Sequence, residues 1–151
     1  MKRIAPRSNG QGRRVGIVVS RFNQELGDGL LAQALRALKD AGVANDDVTV
    51  ASVAGALEAP IALQRMAQSG DFDTLVAIGA VIRGETYHFE IVCNESARGL
   101  SEVALQFGIP VGNGILTCNT EDEARARLTK GYEAVQAALE VANLFDDLDE
   151  A

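Results

Sequence analysis

The sequence predicts an α/β fold: a four-stranded parallel sheet, doubly wound, with helices on both faces in a three-layer αβα sandwich. Three observations predict it. Apolar periodicity switches repeatedly between short β-branched runs and longer stripes at helical spacing. The connections are short, with no linker, repeat or low-complexity segment. The run "TLVAIGAVI" (74 to 82) is apolar throughout and bounded by turn residues, as a central parallel strand covered on both faces requires.

The elements follow in order. "RVGIVVS", ending at Ser20, reads as a buried strand. Leu26, Leu30, Leu31, Ala34, Leu35 and Leu38 then share one helical face, stopped by Gly42. "DVTVASV" (47 to 53) is the second strand, and Pro60 sits where the first turn of a helix tolerates proline, ahead of Leu63, Met66 and Ala67. After the third strand, Phe89, Val92, Cys93, Ser96, Leu100, Val103, Ala104 and Phe107 form a helical stripe, broken by Gly108 and Pro110. "VGNGILT" (111 to 117) is the fourth strand. Thr120 to Glu123 has the spacing of a helix capping box, and Leu128, Tyr132, Val135, Leu139 and Ala142 make the last stripe, before an acidic "DDLDE" expected to fray. The sum is βαβαβαβα, the flavodoxin-like winding.

At 151 residues one domain is expected, with 1–12 as an N-terminal arm and 146–151 as an acidic tail. No apolar run is long enough to span a bilayer, which excludes a membrane role for a helix. The basic start lacks the apolar stretch of a secretory signal, so a cytoplasmic protein is expected. A net charge of -7 argues against a nucleic-acid footprint, which needs clustered Lys and Arg. Two cysteines, Cys93 and Cys118, and a single histidine make neither a disulfide framework nor a standard zinc cage. No metal is expected.

In doubly wound sheets, ligands bind outside the carboxyl ends of the strands. The candidate loops are therefore "RFNQ", "AGALEAP", "RGETYH" and "TCNT". In "RGETYH", Gly84 relaxes the backbone ahead of several N–H groups entering a helix, an arrangement that cradles an anion or is simply a turn. Glu85 suits an anion site only if its side chain points away. His88 falls in the first turn of that helix, where the dipole favours a neutral ring able to take a proton; a histidine satisfied by an ordinary hydrogen bond is the competing reading. Phe22 lies outside the next helical stripe, so its ring either covers a planar ligand or packs. Glu58 either favours the following helix dipole or accepts hydrogen bonds from ligand hydroxyls. Arg127, on the last helix, reads by itself as part of a solvated face.

Taken together, "RFN" (21 to 23), "VAGALEAP" (53 to 60), "AIGAVIRGETYHFE" (77 to 90), "NGILT" (113 to 117), Glu123 to Arg127, "KG" at 130 and "AALEVANL" (137 to 144) resemble the lumazine synthase family over nearly the whole chain. The resemblance implies condensation of 5-amino-6-ribitylamino-2,4-pyrimidinedione with 3,4-dihydroxy-2-butanone 4-phosphate to 6,7-dimethyl-8-ribityllumazine, phosphate and water, without a cofactor. It implies that Phe22 stacks on the pyrimidinedione, and that Ala56, Leu57 and Glu58 line the ribityl side. Ala80, Val81 and Ile82 would present main-chain groups to the heterocycle, Glu85, Thr86 and Arg127 would bind phosphate, and His88 would transfer protons. It further implies a homopentamer with sites between neighbouring subunits, Asn113 and Arg127 coming from the neighbour, and an arm (1–12) able to add to a neighbour's sheet.

The chain departs from the family pattern at Asn113 and Leu57, where aromatics are frequent, and at Ala54, where proline is. Only "LT" separates Arg127 from Lys130, where shell-forming members have a longer kink, so a pentamer or a face-to-face decamer is expected ahead of a shell. Lys130 stays open as a second phosphate contact. Two other classes compete with the enzyme: a non-catalytic paralogue that binds flavin or lumazine, and an oligomeric scaffold.

Overall fold

In the computed structural model, which describes residues 1–151, the strands are Val15–Ser20 (β1), Val48–Val53 (β2), Thr74–Ile82 (β3) and Val111–Cys118 (β4). All pair in parallel, in the order β2-β1-β3-β4. The helices are Gln24–Ala41 (α1), Ala59–Ser69 (α2), His88–Phe107 (α3), Glu121–Arg125 (α4) and Lys130–Asp149 (α5). The step from β1 to β2 runs one way along the sheet, and the steps to β3 and β4 run the other way. Right-handed crossovers therefore place α1 on one face and α2 and α3 on the opposite one. This is the flavodoxin-like winding that the periodicity predicts.

Each face carries its own core. Leu30, Ala34 and Leu38 of α1 meet Val135, Ala138 and Leu139 of α5 over Ile17, Val76 and Ile78. On the other side Leu63 of α2 and Leu100 and Val103 of α3 cover Val18, Leu75, Ala77 and Ile115. β1 is buried along its whole length, and β3 along all but its last two residues. β2 and β4 are the edges: no residue of β2 is fully buried, and β4 exposes Asn113 and Thr117. No helix is long and apolar enough to cross a membrane.

Three local readings change. Leu35 is 42% exposed, off the buried face of α1 rather than on it. The final stripe is not one helix: α4 ends at Arg125 and a turn precedes α5, so Arg127 lies in that turn instead of on a helix. The capping box is half formed. Thr120 Oγ1 accepts the Glu123 N–H at 3.2 Å, but Glu123 Oε2 accepts the N–H of Asn119, one residue earlier than the reciprocal bond requires.

The acidic end does not fray at 146; it is helical to Asp149. The reason lies at the other terminus. Arg7 pairs with Asp147 at 2.9 Å and Arg13 with Asp146 at 2.6 Å. Between them, buried Asn143 donates to the carbonyls of Arg7 and Asn9 and accepts from Arg13, so its amide is fully used.

Candidate active site

The direction of winding reverses between β1 and β3, and a cleft of about 470 Å³ opens at their carboxyl ends. Its volume is in the range of small-molecule sites. Phe22, Ala54 to Glu58, Ala80 to Ile82, Gly84, Thr86, His88, Phe89 and Val92 line it. Three of the four candidate loops thus meet in one wall.

Phe22 is held out over the cleft by backbone pairing that outlasts the strands. The N–H of Arg21 donates to the Val53 carbonyl at 2.8 Å, and that of Phe22 to the Ala54 carbonyl at 3.0 Å. Asn23 then takes the left-handed conformation, φ 59°, which asparagine tolerates better than most residues. Its side-chain Nδ2 donates to the Ala80 carbonyl at 3.0 Å. The turn is pinned at both ends, and the Phe22 ring stays 73% exposed.

Ala56–Glu58 forms a single 3-10 turn before α2. Ala56 is buried as the seat of that turn, while Leu57 and Glu58 are exposed to the cleft. Glu58 makes no capping hydrogen bond to α2, and its carboxylate lies both in the cleft wall and ahead of that helix, a place that suits either of its two readings. Pro60 is in the first turn, as expected.

β1 pairs with β3 only as far as Val19 and Ile78, whereas β4 accompanies β3 to Ile82. Ala80 to Ile82 therefore run past the end of β1, with main-chain groups on that side outside the ladder. The Ala80 carbonyl is taken by Asn23; the rest of that edge faces the cleft.

Beyond β3, Gly84 to His88 are exposed. His88 is the first residue of α3, as expected, and its N–H donates to Thr86 Oγ1 at 3.4 Å. Gly84 is not needed for its backbone angle, since its φ is not positive, and a Cβ there would meet no atom within 4 Å. The space beside it belongs to the cleft. Thr86 lies in the wall and Glu85 does not. The start of a 20-residue helix beside a cleft suits an anion by its dipole, although the N–H groups of His88 and Phe89 are already donated to Thr86.

Asn113 and Arg127 are not in the wall. Asn113 pairs with Ala77, three residues before Ala80, so it sits about 10 Å down the sheet from the cleft. It is exposed, and its Oδ1 accepts the Ile115 N–H. Arg127 is exposed in the turn after α4, its Nη1 donating to the Glu123 carbonyl at 2.8 Å. Asn23, Phe89 and Val92 are the wall and positioning residues that sequence reasoning missed. The "RFN" motif contained the first, and the foot of the α3 stripe the other two.

A family model described as 6,7-dimethyl-8-ribityllumazine synthase matches residues 12–146. The protein of that name from Methylobacillus flagellatus is 54% identical over 149 residues, covering 98% of this chain and 100% of the relative. Those of Nitrosospira multiformis and Paraburkholderia phymatum are each 53% identical, covering 97% and 92% of this chain and 92% and 81% of their own.

Proposed function

This chain belongs to the 6,7-dimethyl-8-ribityllumazine synthase family, and from that premise we propose that the cleft at the ends of β1, β2 and β3 is its active site. The enzyme is a transferase of riboflavin biosynthesis. It condenses 5-amino-6-ribitylamino-2,4-pyrimidinedione with 3,4-dihydroxy-2-butanone 4-phosphate, releasing phosphate and water. Nothing in the chain's relationships favours the binding-only or scaffold alternatives.

The observation that carries the site assignment is convergence. Phe22, Ala56, Leu57, Glu58, Ala80, Val81, Ile82, Thr86 and His88, read from three separate loops, line one cleft. Phe22 stacks on the pyrimidinedione while the unladdered main chain of 80–82 reads its edge. Glu58 accepts hydrogen bonds from ribityl hydroxyls. The N–H groups of Glu85 and Thr86, in the loop that leads into α3, hold the phosphate, the Glu85 side chain staying outside the wall.

The amine attacks the ketone, the carbinolamine loses water to give an imine, phosphate is eliminated, and the second amine attacks the remaining carbonyl and closes the ring with loss of a second water. Every step moves a proton, and His88, in the cleft wall, gives and takes them. Holding two substrates in register supplies much of the remaining acceleration.

The subunit arrangement belongs to the same proposal. Asn113 and Arg127 are exposed away from the cleft of their own chain, as residues lent to a neighbour's cleft must be. Phe22, Leu57, Ile61, Tyr87 and Ile91 are exposed apolar groups on the cleft rim or one turn from it, a surface suited to a partner subunit. We take the assembly to be a homopentamer of single-domain subunits in the cytoplasm. Mixing purified protein with both substrates, and following phosphate release together with lumazine absorbance, tests the function. Turnover is expected; none at micromolar enzyme would sink it.

A further inference from the structure

We propose that Arg83, which lines no part of the cleft, is a positioning residue. It clamps Gly84 to His88 between the end of β3 and the start of α3 and, through Asn119, joins that clamp to the turn carrying Arg127. The proposal rests on the site assignment above.

The backbone N–H of Arg83 donates to the Cys118 carbonyl at 2.9 Å, extending the β3–β4 pairing by one residue. Its guanidinium then reaches three groups. Nε donates to Asn119 Oδ1 at 2.7 Å, Nη1 donates to Glu90 Oε1 at 2.5 Å, and Cζ lies 4.4 Å from the centroid of the Phe89 ring. Phe89 and Glu90 directly follow His88, and Phe89 is itself in the cleft wall. Gly84 to Tyr87 lie between these anchors, exposed and outside any strand or helix. Their path is set by what holds the two ends.

A lone exposed ion pair is worth little. Arg83 differs because one side chain serves three partners at once, and because a planar fork that also stacks on a ring cannot be replaced by the point charge of lysine. The Glu90 carboxyl is held below its ordinary range, first by the hydrogen bond from Arg83 and then by its own backbone N–H. From Asn119 the connection continues: its N–H donates to Glu123 Oε2 at 2.8 Å, and the Glu123 carbonyl accepts from Arg127 at 2.8 Å. One set of hydrogen bonds thus runs from the first turn of α3 to the arginine proposed to bind phosphate next door.

The test is steady-state kinetics with both substrates on Arg83→Gln and Arg83→Lys, beside thermal unfolding and light scattering. For Arg83→Gln, kcat falls at least about tenfold, since small displacements of reacting groups are costly. KM for the butanone phosphate rises, while KM for the pyrimidinedione, the unfolding midpoint and the assembly size stay at wild-type values. Arg83→Lys lies between. Adding Glu90→Gln to Arg83→Gln restores nothing, because the clamp and not the charge balance is missing. Arg14→Gln, which removes an ion pair with Asp73 at the opposite end of β1, changes neither constant. Unchanged constants in Arg83→Gln, an equal rise in both KM values, or full rescue by Glu90→Gln would each overturn the proposal. An inactive wild type overturns the site assignment and this proposal with it, whereas an active wild type with an indifferent Arg83→Gln overturns this proposal alone.

Discussion

His88 is the only histidine in the molecule, and it lies in the wall of the cleft. Its place in the first turn of α3 was legible in the sequence, because a glycine loop follows an apolar strand and a stripe follows the loop. That its loop opens at the carboxyl ends of the strands was legible as well, but which residues share the cleft wall with it was not, since this depends on residues far away in the chain. His88→Ala is expected to lower kcat about a hundredfold or more while both KM values stay within about twofold, as removal of a general acid–base group does. Phosphate-release kinetics across pH checks this. Full activity of the variant at every pH would leave His88 as a helix-start residue. Phe22 and Glu58 were equally readable as candidates; the packing alternative for Phe22 weakens once it is found 73% exposed, while Glu58 still stands where a carboxylate also favours the dipole of α2.

At the scale of elements, the informative departure is the break between α4 and α5. The stripe beginning at Leu128 reads as one continuous helix because periodicity does not register a turn whose flanking helices share an apolar face. What seats α5 is Gly131, where a Cβ would fall on the carbonyl oxygen of Leu30 in α1. Gly29 in turn leaves room for the Leu128 side chain. The two helices meet through glycines, and the turn carrying Arg127 is placed by that contact. Gly131→Ala pushes backbone against backbone, and a loss of about 1–3 kcal/mol in stability is expected, as for overpacking in a closed core. Urea unfolding measures it. A displaced α5 should also raise KM for the phosphate substrate, and a variant as stable as wild type would show that the helices can slide apart at no cost.

At the scale of the whole molecule, the separation of Asn113 and Arg127 from the cleft makes one strong prediction. If each site takes His88 from one chain and Arg127 from the next, His88→Ala and Arg127→Ala chains, each impaired alone, should restore one another when co-assembled. With random mixing in a head-to-tail ring, about one site in four has both wild-type groups. Turnover of co-expressed chains, compared with a mixture of separately assembled variants, measures it. Activity no greater than the average of the two variants would place both residues in sites of a single chain.

The sequence by itself determined the order of strands and helices, the winding, and which loops would gather at one end. Those follow from periodicity and from the rule that parallel strands joined by right-handed crossovers present all their carboxyl ends together. The family resemblance then named the residues in those loops. Only the tertiary structure decided that β3 outruns β1 and leaves the main chain of Ala80 to Ile82 open to the cleft, that Asn113 lies below it, and that the acidic end is held by Arg7 and Arg13. The same holds for the path from Arg83 through Asn119 and Glu123 to Arg127. Each of these depends on register or on a hydrogen bond between residues distant in the chain, and local pattern carries no measure of that distance.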